Sequence, residues 1–119
     1  MYYRLPVTED KRQVMTADAV IDGAAVRVRF EMRYLAGADQ WVISMWDNSN
    51  GEMWVNMIPL ICSRGAVNDL LRPFRHKREG RGIGSLIVLP GLDQPEAEDP
   101  GEGNLGEYMV IYGDTYEAV

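Results

Sequence analysis

The sequence predicts an all-β, mainly antiparallel domain, a small β-sandwich or a partly open β-barrel with one short helix. Three observations carry that expectation. Val26 to Tyr34 alternates strictly, with apolar or aromatic residues at even positions and Arg27, Arg29, Glu31 and Arg33 at odd ones. A period of two puts the even side chains on one face of a strand and the charges on the other, whereas a helix would scatter both sets. Asp22-Gly23 and Asn50-Gly51 are tight-turn signals, because both pairs readily supply the positive φ of a hairpin. Gly84 to Pro90 is a continuous apolar run, as expected of a strand buried on both faces.

Taken in order, Tyr2 to Val7 reads as a short edge strand, with Pro6 limiting its pairing. Thr8 to Lys11 is a polar turn. Arg12 to Ile21 is a weaker strand with Met15, Ala17, Ala19 and Ile21 facing inward. Asp22-Gly23 turns the chain into the Val26–Tyr34 strand, whose charged face meets solvent or an acidic partner. Leu35 to Gln40 is a short loop, and Trp41 to Trp46 a strand rich in aromatic and β-branched residues. After the Asp47–Gly51 turn, Met53 to Ile58 returns and stops before Pro59. These strands form an antiparallel meander.

Beyond Pro59 the character changes. Gly65 to Arg72 fits one or two helical turns, with Val67, Leu70 and Leu71 capping one end of the sheet. Pro73 limits further helix. Phe74 to Gly82 is a basic loop or irregular strand. After the apolar strand, Gly91 to Gly106 holds Asp93, Glu96, Glu98, Asp99 and Glu102 among glycines and prolines, and is expected to be a mobile loop. Tyr108 to Tyr112 is the last strand, and residues 114–119 are a tail. The sum is about six or seven strands around one core, a single domain over residues 1–119 with its core at about 10–113.

Composition narrows the function. With 46% hydrophobic and 25% charged residues in 119, the chain has the balance of a globular protein. A net charge of −6 argues against a general nucleic-acid or anionic-membrane binder. Cys62 is the lone cysteine, which excludes an intrachain disulfide and fits a reducing cytosol. The N-terminal residues lack an apolar signal region, so the chain is expected to be made in the cytoplasm. No apolar run is long enough to span a bilayer as a helix.

The sequence contains no recognisable catalytic constellation. His76 is the single histidine and sits in a basic run, where it reads as a solvated loop residue. Cys62, beside a strand end, reads as a buried structural thiol. Gly80 to Ser85 superficially matches a phosphate-cradling loop, but it opens a strand and not a helix. The acidic stretch lacks the alternating frame of a calcium loop. No enzyme, metal site or cofactor is expected.

Two features point instead to protein–protein contact. Trp41, Trp46, Trp54, Met45, Met53 and Met57 crowd two adjacent strands, and tryptophan, methionine and arginine are types that interfaces favour. A basic stretch (Arg72, Arg75, Lys77, Arg78, Arg81) and an acidic one (Asp93, Glu96, Glu98, Asp99) have opposite signs, suited to electrostatic docking. The competing reading is a small nucleic-acid-binding β-barrel using residues 72–81, with Phe74 stacking beside the cations.

The order of motifs is itself distinctive. Ile21-Asp22-Gly23 leads to an alternating strand ending Arg33-Tyr34. Gln40-Trp41-Val42-Ile43-Ser44-Met45-Trp46-Asp47 and Asn50-Gly51 follow, then Ile58-Pro59-Leu60 and Val67-Asn68-Asp69-Leu70-Leu71. Gly82 to Leu89, an acidic stretch, Asn104-Leu105-Gly106 and a closing strand complete the series. Over roughly residues 10 to 113 this series resembles the small baseplate plug proteins of contractile-tailed bacteriophages, departing from them in the basic insertion Arg75 to Arg81. The resemblance implies a virion structural protein in the tail baseplate, on the tail axis near the hub that joins tube and spike, helping to seal the channel. It implies hub, tube or spike proteins as partners and a homo-oligomer of cyclic symmetry, of which a trimer would suit a spike hub. Strand-edge pairing between subunits would contribute to assembly.

Overall fold

The Asp22-Gly23 turn sets the register of the larger sheet. Both residues have positive φ, 51° and 82°, the requirement of a two-residue type I′ hairpin. The computed structural model of the protein describes residues 1–63, 66–77, 83–91 and 99–115. Its strands, in chain order, are β1 Tyr2–Arg4, β2 Arg12–Ile21, β3 Ala24–Leu35, β4 Gln40–Asp47, β5 Met53–Pro59, β6 Ser85–Pro90 and β7 Tyr108–Gly113. They form two antiparallel sheets, one of four strands in the order β2-β3-β4-β5 and one of three in the order β1-β7-β6. The architecture is the all-β one read from the sequence, in its open form and not a closed barrel.

Alternation decides what each sheet buries. Ile21, Val26, Val28, Phe30, Met32, Trp41, Ile43 and Met45 turn inward from the four-stranded sheet and are buried. Leu86, Val88, Tyr108, Val110 and Tyr112 meet them from the three-stranded sheet in one contiguous cluster. Phe30 and Tyr112 touch edge to face, with centroids 5.3 Å apart and planes at 75°, the arrangement aromatic quadrupoles favour. The Tyr112 hydroxyl donates to the Ile83 carbonyl at 2.7 Å, so its polar end is satisfied inside the core. Ser85 to Val88 are all buried, as their apolar run predicts. Just before them, Gly84 has φ 92°, and a Cβ there would lie 2.5 Å from the Gly113 carbonyl oxygen.

Three local expectations are corrected. Residues 66–71 form no helix. Cys62, Ser63 and Leu70 lie instead beside β6, where Cys62 bridges Val88 in parallel and the Ser63 and Leu70 N–H groups donate to the Val88 and Leu86 carbonyls at 2.8 and 2.9 Å. Asp69 secures this path, because its carboxylate accepts from the Leu71 and Leu86 N–H groups and the Ser85 hydroxyl. The helical spacing of Val67, Leu70 and Leu71 was coincidental: Leu71 is buried, Leu70 half-buried and Val67 exposed. Two 3₁₀ turns form among the described residues, Leu105–Glu107 just before β7 and Arg72–Lys77, the latter running through Pro73. A proline in a first turn costs no intrahelical hydrogen bond. Finally, the Asp47–Gly51 turn forms between β4 and β5, but Asn50 does not take the positive φ expected of an Asn-Gly pair. Only Gly51 takes positive φ there, at 78°; Asp47 holds the loop by accepting from the Gly51 and Ser49 N–H groups.

The candidate protein-binding face

The outward face of the four-stranded sheet is a grid fixed by strand register. Arg12 pairs with Arg33, which pairs with Val42 and so with Pro59. Val14, Glu31 and Ser44 make the next row, and Thr16, Arg29, Trp46 and Met53 the row after. Asp18 faces Arg27, and Val20 faces Ala25. Strands β2 and β3 therefore set four guanidiniums against two carboxylates on this face, while the whole chain carries −6.

Glu31 lies at the centre of the charge pattern. Its carboxylate, 13% exposed, is 3.7 Å from the Arg12 Nε and 3.9 Å from an Arg29 guanidinium nitrogen. Asp18 and Arg27 approach to 3.4 Å with both side chains exposed, a pairing that adds little to stability. Arg29 also lies over the half-buried Trp46 ring, 5.1 Å from its centroid, a cation–π contact. Among the described residues no carboxylate comes within ion-pair distance of Arg33. Around these charges Val14, Val20, Met53 and Met57 are each 40–49% exposed. Beside the β2–β3 turn, a depression of about 400 Å³ is lined by Asp18, Val20, Ala25, Arg27 and Ser49.

The β5 edge of this face is irregular. Its pairing with β4 shifts register twice. Met57 takes φ 51° and donates its N–H to the Ser44 hydroxyl at 2.9 Å, so a side chain accepts a donor that the bulge withdraws from the ladder. The first shift turns both Trp54 and Val55 inward, where they are buried.

The structure divides the tryptophan–methionine group. Trp41, Met45 and Trp54 fill the chain's own core and offer no free surface, which corrects their reading as interface residues. The second sheet covers this inward set. Trp46, Met53 and Met57 remain on the outer face. Arg72 is exposed at the start of the 3₁₀ turn, and Arg75 and Lys77 lie in that turn. Arg78, Arg81, Asp93, Glu96 and Glu98 fall outside the described residues. Phe74, the ring that a nucleic-acid reading needs for stacking, packs against the core.

Asp99 is an anchor. Its carboxylate accepts the Cys62 N–H at 2.9 Å, and two residues on, the Gly101 carbonyl accepts the Trp41 indole N–H at 2.8 Å. This acidic segment closes one end of the sheet around a polar hollow of about 630 Å³ bounded by Tyr34, Asp39, Asp99, Glu102 and Asn104. The hollow's polar groups are engaged with one another. Tyr34 donates to Asp39 at 2.6 Å, and Lys11 pairs with Glu102 at 3.3 Å. The hydrogen bond to the Asp39 carboxylate, helped by partial desolvation and by the Asp39 and Glu102 charges, raises the Tyr34 hydroxyl pKa to about 12.

The arginines of the outer face were visible in sequence as the odd positions of β3, but Arg12, Val14 and Val20 were not singled out. The signal that finds them is the Asp22-Gly23 turn: once it is closed, counting outward pairs Asp18 with Arg27 and Arg12 with Arg33.

Comparison with curated proteins gives no significant match. A family model described as "Cyanophage baseplate Pam3 plug gp18" matches residues 2–116, nearly the whole chain. That family is structural and not enzymatic, and it places its members in the tail baseplate of the phage virion. A charged, apolar-studded sheet face on an all-β scaffold suits such a component, and the chain belongs to the cyanophage baseplate plug family.

Proposed function

We propose that this protein closes the tail channel on the axis of a contractile phage baseplate, and that it docks there through the outer face of its four-stranded sheet onto an acidic surface of a hub, tube or spike protein. The observation that carries the reading is the surplus of guanidiniums on that face, interleaved with the exposed side chains of Val14, Val20, Met53 and Met57 around Trp46. Arginine, tryptophan and methionine are enriched where protein interfaces gain their energy. A net-positive patch on an acidic chain selects a negative partner and orients it during encounter. The sheet beneath is braced by the core, so little ordering accompanies binding.

The test is the mass in solution of the purified protein mixed with the tail-hub protein of the same phage. The expected result is a defined co-complex that weakens as salt rises. Failure to associate with any hub, tube or spike protein at low salt overturns the reading.

A further inference from the structure

The four-stranded sheet has two edges of different kinds, β5 and β2. The β5 edge is broken by two register shifts and by Met57 at positive φ, and it ends in Pro59. Bulges and prolines are how proteins blunt an edge against further pairing. The β2 edge has neither. Its ten residues pair with β3 without interruption from Arg12↔Arg33 to Ile21↔Ala24, and they include no glycine and no proline.

Two hydrogen bonds show which backbone groups lie on that edge. The Lys11 carbonyl accepts the Tyr34 N–H at 2.8 Å, so odd residues of β2 turn their backbone toward β3. The Val20 N–H points the other way, donating to the Tyr3 hydroxyl at 3.0 Å. By the alternation of antiparallel ladders, Arg12, Val14, Thr16 and Asp18 aim their N–H and C=O groups outward. Among the described residues nothing bonds to these groups.

We propose that β2 pairs antiparallel with β2 of a second copy of this chain, about a two-fold axis through Met15. This register sets Arg12 opposite the partner's Asp18 and Val14 opposite the partner's Thr16, and the symmetry repeats both pairs. All four outward-facing residues then meet one another as hydrogen-bonded pairs, making roughly eight backbone hydrogen bonds. Opposite charges face each other at both ends of the pairing on the outer face, and Met15 meets Met15 at its centre on the inner face. Sliding by one pair in either direction sets Val14 against Asp18 or Arg12 against Thr16 and loses both charge pairs. The present partners do not obstruct it, since Asp18 and Arg27 are both exposed. The pairing joins the two four-stranded sheets into one, and it makes the isolated protein a two-fold dimer where the sequence resemblance suggested a trimer. It is independent of the docking proposal, because it requires no baseplate protein.

The test is sedimentation equilibrium of the full chain alone. The expected result is a monomer–dimer equilibrium. Asp18→Arg sets like charges opposite each other and weakens the dimer about tenfold or more. The double swap Arg12→Asp with Asp18→Arg restores it. Thr16→Pro removes one outward donor, leaves the β2–β3 ladder intact and also yields monomer; circular dichroism establishes that each variant is folded. A chain that stays monomeric at 100-micromolar concentrations, forms trimers, or forms a dimer indifferent to both Asp18→Arg and the double swap overturns the proposal. Any of those results leaves hub binding to be judged by its own mass measurement.

Discussion

Phe30 and Arg29 are neighbours on β3 and belong to different parts of the molecule. Phe30 is fully buried against Tyr112. Arg29 lies on the opposite face over Trp46, with Glu31 beside it. The same comparison holds along β2, β3 and β4: one face is determined by volume and the other by charge. The inner face has a partner within the chain, the three-stranded sheet. The outer face has exposed apolar groups and surplus arginines. Mutations on the two faces should therefore separate cleanly, with folding lost on one and binding lost on the other.

The largest effect is expected inside. Phe30→Ala or Trp41→Ala should cost about 3–5 kcal/mol in urea denaturation, from lost burial and the cavity left behind. Trp41 adds a further penalty, because its truncation frees the Gly101 carbonyl that its indole satisfies. Asp69→Ala tests whether polar staples matter as much as volume. It strands the Leu71 and Leu86 N–H groups, and a loss of about 2–3 kcal/mol is expected. A loss below about 1 kcal/mol would mean that the path beside β6 holds without it.

Substitutions on the outer face should barely register in the same assay. Arg29→Ala and Val14→Ser are expected to change stability by less than about 1 kcal/mol, since exposed ion pairs and edge-strand positions contribute little. If either unfolds the protein, the two faces are not separable.

The smallest effect is a titration. Tyr34 should deprotonate near pH 12 by NMR, and Asp39→Asn should return it toward 10, the ordinary tyrosine value. Asn tolerates the positive φ of 47° at residue 39, so the backbone should not confuse the result. The sign follows from linkage: a raised folded pKa contributes stability present below the unfolded value near 10 and lost as pH rises through about 12. Asp114 works in the opposite direction. The N-terminal ammonium hydrogen-bonds its carboxylate, and the Asp22 N–H reinforces this, holding its pKa below the usual range. Its contribution is present at neutral pH and lost as pH falls through that lowered value.

What was legible in the sequence follows the same division. Alternation in β3 and a two-residue turn are local signals, and together they define the β2–β3 hairpin and the row order of the outer face. The destination of a tryptophan is not local. Trp41, Trp46 and Trp54 look alike in sequence, and only the packing of a distant strand and a bulge at Trp54 separate them. The bulge at Met57 is held by the Ser44 hydroxyl accepting the Met57 N–H, a pairing with no pattern in the chain. The apolar spacing of residues 66–71 fits a helix, but Asp69 and Leu70 tie this segment to the Leu86 backbone of β6 instead.

The most direct test of the docking account is the affinity of the Arg29→Glu, Arg33→Glu variant for the tail-hub protein, compared with the wild type at fixed salt. Both side chains lie outside the core, so the variant should fold with near-normal stability. The account predicts binding weakened at least tenfold, from reversed charges at the centre of the contact. Equal affinity from a folded variant would contradict it and place the contact elsewhere on the molecule.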